Sequence, residues 1–255
     1  MMMNITERHE FILKCLKEKG KISIDAICEI MKVSSVTIRK DLKVLEEKNL
    51  LFRIKGGASN SNPYAIDRPI LINELIRNDE KQKIAKEALN LIKNNDSILL
   101  GTGTTVFALA KKLESVQNLT VITPALKVSL ELSTKPNIEV LQLGGLIRPN
   151  SSSVAGNYAL QILKEISCGI LFLGVDGIDP DFGISISNLQ EAALAQAMLT
   201  TAQKVVILAD STKFGKRGLG KLCDLIDIDY IITDNKIPEA MVKEIENIGI
   251  KVIIA

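Results

Sequence analysis

The sequence predicts a protein of two parts: a small helical domain that ends in a β-ribbon, followed by a larger α/β domain with a mostly parallel sheet. Three observations support this. Helical periodicity with basic side chains fills the first 58 residues, short apolar runs alternate with helical stretches from residue 80 onward, and charge is divided unequally between the two parts. The expected boundaries are 1–58 for the first domain, 59–79 for a linker and connecting segment, and 80–255 for the α/β domain.

Three helices are predicted near the N-terminus. Apolar residues at helical spacing indicate a first helix over 6–19, and Ser23 can cap a short second helix over 24–31. Ser34 can cap a third helix that runs from 35 to about 49. The second and third helices are joined by a very short turn, which is typical of a helix-turn-helix.

The third predicted helix has two different faces. Ile38, Leu42 and Leu45 form an apolar stripe, and the opposite face gathers cations near the helix start. A helix that enters a major groove needs cations for phosphates, a guanidinium for guanine and a methyl group for thymine. This pattern predicts contacts to double-stranded DNA, although an ordinary solvated basic face has the same composition. The predicted contacts on this helix are Ser35, Val36, Thr37, Arg39, Lys40 and Lys43.

A basic strand follows the third helix. Residues 51–55 read as a strand with Arg53 and Lys55 on one face, and Gly56 and Gly57 supply a turn. The helix-turn-helix is therefore expected to be winged, with Arg53 and Lys55 as further DNA contacts. A winged helix used only for protein contacts is the alternative, but it leaves the concentration of basic residues unexplained.

The first 58 residues also carry a recognisable motif. Its residues, in order, are Val33, Ser34, Thr37, Ile38, Arg39, Lys40, Asp41, Leu42, Leu45, Glu46, Leu50, Leu51, Arg53, Gly56, Gly57 and Ala58. Residues 5–58 thereby resemble the DeoR-type winged helix of bacterial transcriptional regulators. The resemblance implies an operator in double-stranded DNA. Because one such domain touches few base pairs, a homo-oligomer on repeated or palindromic half-sites is expected.

Charge and composition agree with a nucleic-acid partner for the first part only. Residues 1–58 hold 12 Lys and Arg against 8 Asp and Glu, hence +4, whereas the whole chain has a net charge of +2. The four cysteines and the single histidine, His9, show no spacing typical of a zinc site, and we interpret all five as packing residues. No signal peptide or membrane helix is evident, so no membrane association and a cytoplasmic location are expected.

The second part alternates strands and helices. Residues 59–63 read as the start of the linker, and a helix is predicted from about residue 80. Short apolar runs predict strands at 97–100, 120–122, 138–141, 170–173, 205–209, 230–233 and 252–254. Helices are predicted between most of them, at 106–113, 126–132, 158–166, 191–202 and 239–247. This pattern is typical of a parallel sheet covered on both faces, which binds ligands beyond the carboxyl ends of its strands.

A candidate ligand site follows from those strand ends. The run Gly101-Thr102-Gly103-Thr104-Thr105 lies between a strand and a helix, where amides and hydroxyls can cradle an anion such as phosphate, although an ordinary strand-to-helix turn has the same pattern. No cofactor or metal is expected. The predicted ligand-binding residues are Gly101, Thr102, Gly103, Thr104, Thr105, Thr123, Arg148, Asp176, Glu191, Asp210 and Lys213.

Residues after the linker resemble the C-terminal sugar-phosphate-sensing domain of the DeoR family. The matching residues include 103–105, 143–145, Arg148, 172–174, Gly177, 191–192, 209–211, 213–215 and 232–234. The resemblance implies a fold similar to ribose-5-phosphate isomerase and a phosphorylated sugar as effector of a repressor of sugar metabolism, without catalysis. The alternative is a sugar-phosphate isomerase or deaminase-like enzyme with Asp176 or Glu191 as base, but the isomerases' lysine and glycine-rich run are absent from 183–190.

Overall fold

The computed structural model describes residues 4–48, 50–54, 56–60, 74, 76–94 and 96–255. The chain divides into two compact units, residues 1–66 and 67–255. The predicted DNA contact Lys55, the predicted end of the third helix at residue 49 and most of the predicted linker lie outside the described residues. Among the residues that are described, no helix is long and apolar enough to cross a membrane.

The first unit contains the three predicted helices and a small sheet. Its helices are α1 (Ile5–Lys19), α2 (Ile24–Met31) and α3 (Ser35–Glu47), and its strands are β1 (Lys21–Ser23), β2 (Phe52–Ile54) and β3 (Gly57–Ser59). The strands are antiparallel in the order β1-β3-β2. A Cβ at Gly57 would lie 2.1 Å from the Ile22 carbonyl oxygen, so only glycine allows the wing to approach β1 this closely. The helix-turn-helix and the wing are confirmed, whereas β1 was not predicted.

The helices of the first unit are held together by one apolar core. Ser23 and Ser34 cap α2 and α3 by accepting from the backbone N–H groups of Ala26 and Thr37, as predicted. The predicted stripe of α3 is buried, together with apolar residues of α1, α2 and β1. This core contains Ile12, Cys15, Leu16, Ile22, Ile27, Ile38, Leu42, Leu45, Leu51 and Ala58.

The second unit is an α/β domain, as predicted. Its helices are α4 (Asn78–Leu89), α5 (Thr104–Ala110), α6 (Leu126–Leu132), α7 (Asn157–Lys164), α8 (Leu189–Thr201) and α9 (Glu239–Asn247). The strands of its main sheet are β4 (Ser97–Leu100), β5 (Leu119–Thr123), β6 (Ile138–Gln142), β9 (Cys168–Gly174), β12 (Ala202–Leu208), β14 (Tyr230–Thr233) and β15 (Lys251–Ile254). All seven correspond to predicted strands, and each of the predicted helices is present with bounds shifted by a few residues at most.

The main sheet is parallel throughout, in the order β15-β14-β12-β9-β4-β5-β6. Successive side chains of its central strands enter different cores. Leu171 and Leu173 belong to one buried cluster, whereas Phe172 between them belongs to the other. Because side chains alternate across a strand, the sheet is covered on both faces.

Short strands that the sequence did not reveal lie beside the main sheet. These are the hairpin β7 (Leu146–Arg148) and β8 (Ser153–Ala155), and the three-stranded antiparallel sheet of β10 (Gly177–Asp179), β11 (Gly183–Ile186) and β13 (Gly220–Cys223). The hairpin starts four residues after β6, and β10 starts three residues after β9. They therefore extend the edge at which the parallel strands end, which we call the carboxyl edge.

Candidate DNA interface and effector site

The basic face of α3 is presented to solvent. Val36, Arg39, Lys40 and Lys43 are all exposed, and Val36 is 58% accessible. Ser35 and Thr37 are half-buried at the start of the helix, where the Thr37 hydroxyl lies 3.0 Å from the Ser34 hydroxyl. Thr37 therefore contributes to the cap as well as to the first turn. Val36, Arg39, Lys40 and Lys43 share one exposed helix face, whereas Ser35 and Thr37 lie beside it in the first turn.

Asp41 faces the interior of the first unit. Its carboxylate accepts two hydrogen bonds from Arg8 of α1, at 2.8 Å from Nε and 3.0 Å from Nη2. His9 Nε2 lies 3.3 Å from Asp41 Oδ1. His9 is half-buried beside this carboxylate, so its structural role includes a polar contact with Asp41 as well as packing. The cysteines fit the interpretation as packing residues: Cys15 and Cys168 are buried, and Cys28 and Cys223 pack against the apolar cores.

Two of the predicted DNA-binding cations have acidic neighbours. Arg53 on β2 donates its backbone N–H to Glu46 at 2.9 Å, and its Nε lies 3.7 Å from the same carboxylate. Lys43 Nζ lies 3.9 Å from Glu47 Oε1. Among the residues that the structure describes, neither Arg39 nor Lys40 forms such an ion pair. These two side chains are thus the most available cations of the helix.

The candidate effector loop lies at the point where the strand order reverses. The chain proceeds from β4 to β5 and β6 on one side, and then returns to β9 on the other side of β4. Gly101 donates its N–H to the Phe172 carbonyl at 2.9 Å. A Cβ at Gly174 would lie 2.8 Å from the Thr102 carbonyl oxygen, so loop 101–105 rests directly on the end of β9. A crevice at such a reversal is where open α/β sheets bind ligands.

The threonines of this region have different surroundings. Thr104 starts α5, whose first N–H groups have no partner within the helix, and Thr105 behind it is buried. Thr123 is fully buried: its hydroxyl donates to the Leu100 carbonyl at 2.7 Å and accepts from Ala125 N–H at 3.1 Å. Thr123 therefore joins the ends of β4 and β5 and positions the loop. A direct contact between Thr123 and a ligand stays a prediction, and in this structure its hydroxyl serves two backbone groups.

Lys213 is placed at the same edge with two aspartates. Its Nζ lies 3.7 Å from Asp176 Oδ1, and Asp176 Oδ2 accepts from the Ser187 N–H at 2.8 Å. Asp210 is buried and accepts from the Thr212 N–H at 2.9 Å, so that it caps the turn which carries Lys213. The predicted residues Asp176, Asp210 and Lys213 thus lie in neighbouring turns beyond β9 and β12. The Lys213 ammonium group is partly exposed there.

Arg148 and Glu191 form a second pair at this edge. Arg148 Nε on β7 lies 3.4 Å from Glu191 Oε1 on α8, and both side chains are largely buried. Ser153 on β8 donates to the same carboxylate oxygen at 3.5 Å. The pair therefore fastens the hairpin to the first turn of α8.

The sequence did not single out the charged residues that enter α4. Lys81 is 6% exposed, and burial lowers its pKa, while nearby Asp210 raises that pKa and Lys213 lowers it further. Arg77 Nε lies 3.9 Å from Asp210 Oδ1. Lys81 shares the inward face of α4 with Ile84 and Ala88. A lysine on the apolar stripe of an amphipathic helix was the signal that could have identified it.

Ion pairs also hold the residues around Arg77. Glu74 accepts from Lys127 Nζ of α6 at 2.7 Å. Glu80 accepts from Lys236 Nζ, which follows β14, and this ammonium lowers the pKa of Glu80. Among the described residues, no group of three or more His, Cys, Asp or Glu side chains could hold a metal ion. The edge is equipped with cations and amides and is suited to an anionic ligand.

Each of the two parts of the chain matches a known protein family. The DeoR-like helix-turn-helix domain matches residues 8–63, and the DeoR C terminal sensor domain matches residues 76–235. The HTH-type transcriptional regulator GolR of Listeria innocua is 34% identical over 98% of each chain. The lactose phosphotransferase system repressor of Staphylococcus epidermidis is 32% identical over 91% of this chain and 93% of that protein.

Among solved structures, ribose 5-phosphate isomerase A from Methanocaldococcus jannaschii is similar over 54% of each chain, with 20% identity and a TM-score of 0.40. The family matches cover both units, and the relatives match along nearly the whole length. The chain therefore belongs to the DeoR family of helix-turn-helix transcriptional regulators.

Proposed function

We propose that the protein is a repressor of a sugar-metabolism operon that binds operator DNA in the bacterial cytoplasm through α3 and the wing. A phosphorylated sugar bound at the carboxyl edge of the second unit changes its affinity for DNA. The observation that carries this proposal is that loop 101–105 and Lys213 follow the carboxyl ends of β4 and β12, the two strands that flank β9, in a chain whose other unit exposes Arg39 and Lys40.

The chemistry of the edge supports a phosphorylated sugar. A phosphate dianion needs backbone amides and a cation, and loop 101–105 and Lys213 supply these groups. Sugar hydroxyls need carboxylate or amide partners, for which Asp176 and Glu191 are positioned at the same edge. One relative is named as a repressor of a lactose phosphotransferase system, which also supports a sugar-linked role.

The proposal includes binding without chemical turnover. The two carboxylates that could act as bases in an isomerase already have partners: Asp176 has Lys213 and the Ser187 N–H, and Glu191 has Arg148. Both carboxylates are thus held by cations, and their other lone pairs can still accept from sugar hydroxyls. An isomerase or deaminase-like activity is the competing function. Conversion of a bound sugar phosphate by the wild-type protein would favour it.

We also propose that the protein acts as a homo-oligomer. One short recognition helix contacts few base pairs, and a two-fold arrangement doubles the number of contacts on a palindromic site. Light scattering with and without DNA tests this proposal. A monomeric mass in both states would contradict it.

The decisive experiment measures the coupling between the two ligands. DNA selected from a random duplex library by the wild-type protein is titrated by fluorescence anisotropy, with and without a panel of pentose 5-phosphates and hexose 6-phosphates. One sugar phosphate is expected to change DNA affinity by roughly 5- to 150-fold, and the DNA must change affinity for that sugar by the same factor.

Variants assign the effect to the proposed site. Lys213→Ala and Thr104→Val are expected to weaken sugar binding and leave DNA binding without effector nearly intact, whereas Lys111→Ala, an exposed lysine in the turn after α5, serves as the control. A full response in Lys213→Ala, or turnover of the sugar detected by NMR, would refute the proposal.

A further inference from the structure

Arg77 occupies an unusual position at the entrance to α4. Its guanidinium lies between two carboxylates, with Nε 3.9 Å from Asp210 Oδ1 and Nη1 3.7 Å from Glu80 Oε1. Both distances are too long for hydrogen bonds. The ion pairs therefore hold the side chain in place without a hydrogen bond from Nε to Asp210 or from Nη1 to Glu80.

The donors of Arg77 are consequently under-used. Within the described part of the chain, Nη1 is shielded from solvent and has no hydrogen-bond partner. The neighbouring carboxylates have shorter contacts with other groups, since Glu80 accepts from Lys236 and Asp210 accepts from Thr212. A guanidinium offers five donors in a planar fork whose geometry matches a carboxylate or a phosphate.

The surroundings of Arg77 favour a phosphate group. Asp210 leads into the turn that carries Lys213, and both residues affect the pKa of Lys81 one helical turn beyond Arg77. Three cations therefore approach the same part of the carboxyl edge. Arg77 also has a left-handed backbone with φ of 55°, which is uncommon for a residue other than glycine.

We propose that Arg77 is a further effector-binding residue, whose guanidinium leaves Asp210 for the phosphate group of a phosphorylated sugar and so reports occupancy of the site to the chain that enters α4. This inference rests on the proposed function and deepens it. The phosphate receives the bidentate contact that Asp210 does not provide at 3.9 Å.

The ion pairs of Glu74 and Glu80, on either side of Arg77 in sequence, explain how a movement of Arg77 is transmitted along the chain. Glu74 is fastened to Lys127 of α6, and Glu80 is fastened to Lys236 after β14. Arg77 lies between these two anchors in sequence, on the segment that connects the first unit to α4. A movement of Arg77 toward the ligand therefore acts on the chain between the anchors, which is the covalent route to the helix-turn-helix.

Calorimetric titration of the wild type and three variants tests the inference. Ribose 5-phosphate, glucose 6-phosphate, galactose 6-phosphate and glucosamine 6-phosphate, each beside its unphosphorylated sugar, are titrated into the full-length wild type, Arg77→Ala, Arg77→Lys and Lys83→Ala. Lys83 is an exposed cation on the same helix and controls for loss of charge. Arg77→Ala is expected to lower the affinity for the phosphorylated sugar by about tenfold or more. Arg77→Lys should lower it by less, because lysine keeps the charge but lacks the planar fork of donors, and Lys83→Ala should leave it unchanged.

The readouts separate this role from a structural one. Affinity for the unphosphorylated sugar should not change in Arg77→Ala, and its DNA affinity without effector should equal that of wild type, while the change caused by the sugar phosphate should shrink. Equal weakening of the phosphorylated and unphosphorylated sugars, or wild-type affinity and coupling in Arg77→Ala, would overturn the inference. Failure of the wild type to bind any of the sugar phosphates would instead refute the proposed function on which it rests.

Discussion

Arg8 and Asp41 are joined by two parallel hydrogen bonds, from Nε to Oδ2 at 2.8 Å and from Nη2 to Oδ1 at 3.0 Å. The pair connects α1 to α3 on the inner side of the first unit, and the hydrogen bond to Asp41 raises the pKa of Arg8. Side-chain exposure is 11% for Arg8 and 8% for Asp41. This buried pair, with the apolar stripe, sets the orientation of the basic face of α3.

We expect Asp41→Asn to destabilise the first unit by about 3 kcal/mol, because the Arg8 charge stays buried without its counter-charge. Urea unfolding followed by circular dichroism measures the change. Glu47→Ala removes the exposed pair with Lys43 and should cost less than about 1 kcal/mol. If Asp41→Asn cost no more than Glu47→Ala, the pair would have no structural role.

A second prediction concerns base reading by α3. Arg39→Ala should cost about 1 to 3 kcal/mol on a selected DNA site and relax its sequence preference, whereas Lys40→Ala should weaken all sequences similarly and reduce the salt slope by about one. Anisotropy titrations at several salt concentrations distinguish the two. Unchanged affinity of Arg39→Ala for the selected site would remove Arg39 from the reading set.

The elements predicted correctly are those whose signal is local. Each of the strands in the main sheet is an apolar run, and α3 is a capped helix with one apolar stripe. β1 was missed because it contains one apolar residue, Ile22, and exists through pairing with Gly57–Ser59. β12 starts three residues earlier than predicted, because exposed Gln203 and Lys204 extend it through backbone pairing with β9.

The parts of the candidate site that sequence could not give depend on contacts between distant residues. Asp41 was recognised as a motif residue, but its partner Arg8 is 33 residues away. Thr123 was predicted as a ligand contact, because the sequence does not show that Leu100 and Ala125 use its hydroxyl. Arg77 and Lys81 precede the sheet in sequence and reach its carboxyl edge only because α4 packs there.

A third prediction tests the packing of the effector loop. Gly174→Ala should weaken sugar-phosphate binding by tenfold or more, about 1.4 kcal/mol, because the new Cβ would lie 2.8 Å from the Thr102 carbonyl and displace loop 101–105. Gly144→Ala, which meets no atom within 4 Å, is the matched control. Calorimetry of both variants measures the effect. Equal affinities in the two variants would show that the loop does not need this close approach.

A fourth prediction concerns the thiols of the second unit. Burial raises the pKa of Cys168 to about 11, and burial with Asp227 and Asp224 raises that of Cys223 to about 12. We therefore expect both thiols to react slowly with a disulfide reagent at pH 8 in the native protein and fast in urea. Rapid labelling of either one in the native state would contradict the burial.

The raised pKa values of these two thiols also predict how the free energy of unfolding changes at alkaline pH. Both folded pKa values lie above the ordinary thiol value of 9.0, so the folded state holds these protons more strongly. Their contribution to stability is complete below pH 9 and is lost as the pH rises toward the folded values. Cys168→Ala should make the loss of stability above pH 9 shallower in urea titrations, even if it lowers stability at pH 7.

The last prediction concerns Lys81, which is 6% exposed on the inward face of α4. Lys81→Met keeps an unbranched side chain, shorter by one heavy atom, and removes the buried charge, while Asp210 keeps its contacts with Thr212 and Arg77. Burial lowers the pKa of Lys81 below its ordinary value, so the unfolded chain binds more protons between the folded value and 10.5, and stability rises with pH in that window. Lys81→Met lacks this rise, and we expect its unfolding free energy at pH 7 to match or exceed that of wild type by about 1 kcal/mol, with the advantage shrinking toward pH 10.

The affinity of Lys81→Met for the sugar phosphate should nevertheless fall, because a cation has been removed from the carboxyl edge. Urea titrations at pH 7 and pH 10, with calorimetry at pH 7, measure both effects, and undiminished sugar-phosphate affinity in Lys81→Met would show that this lysine serves only the fold.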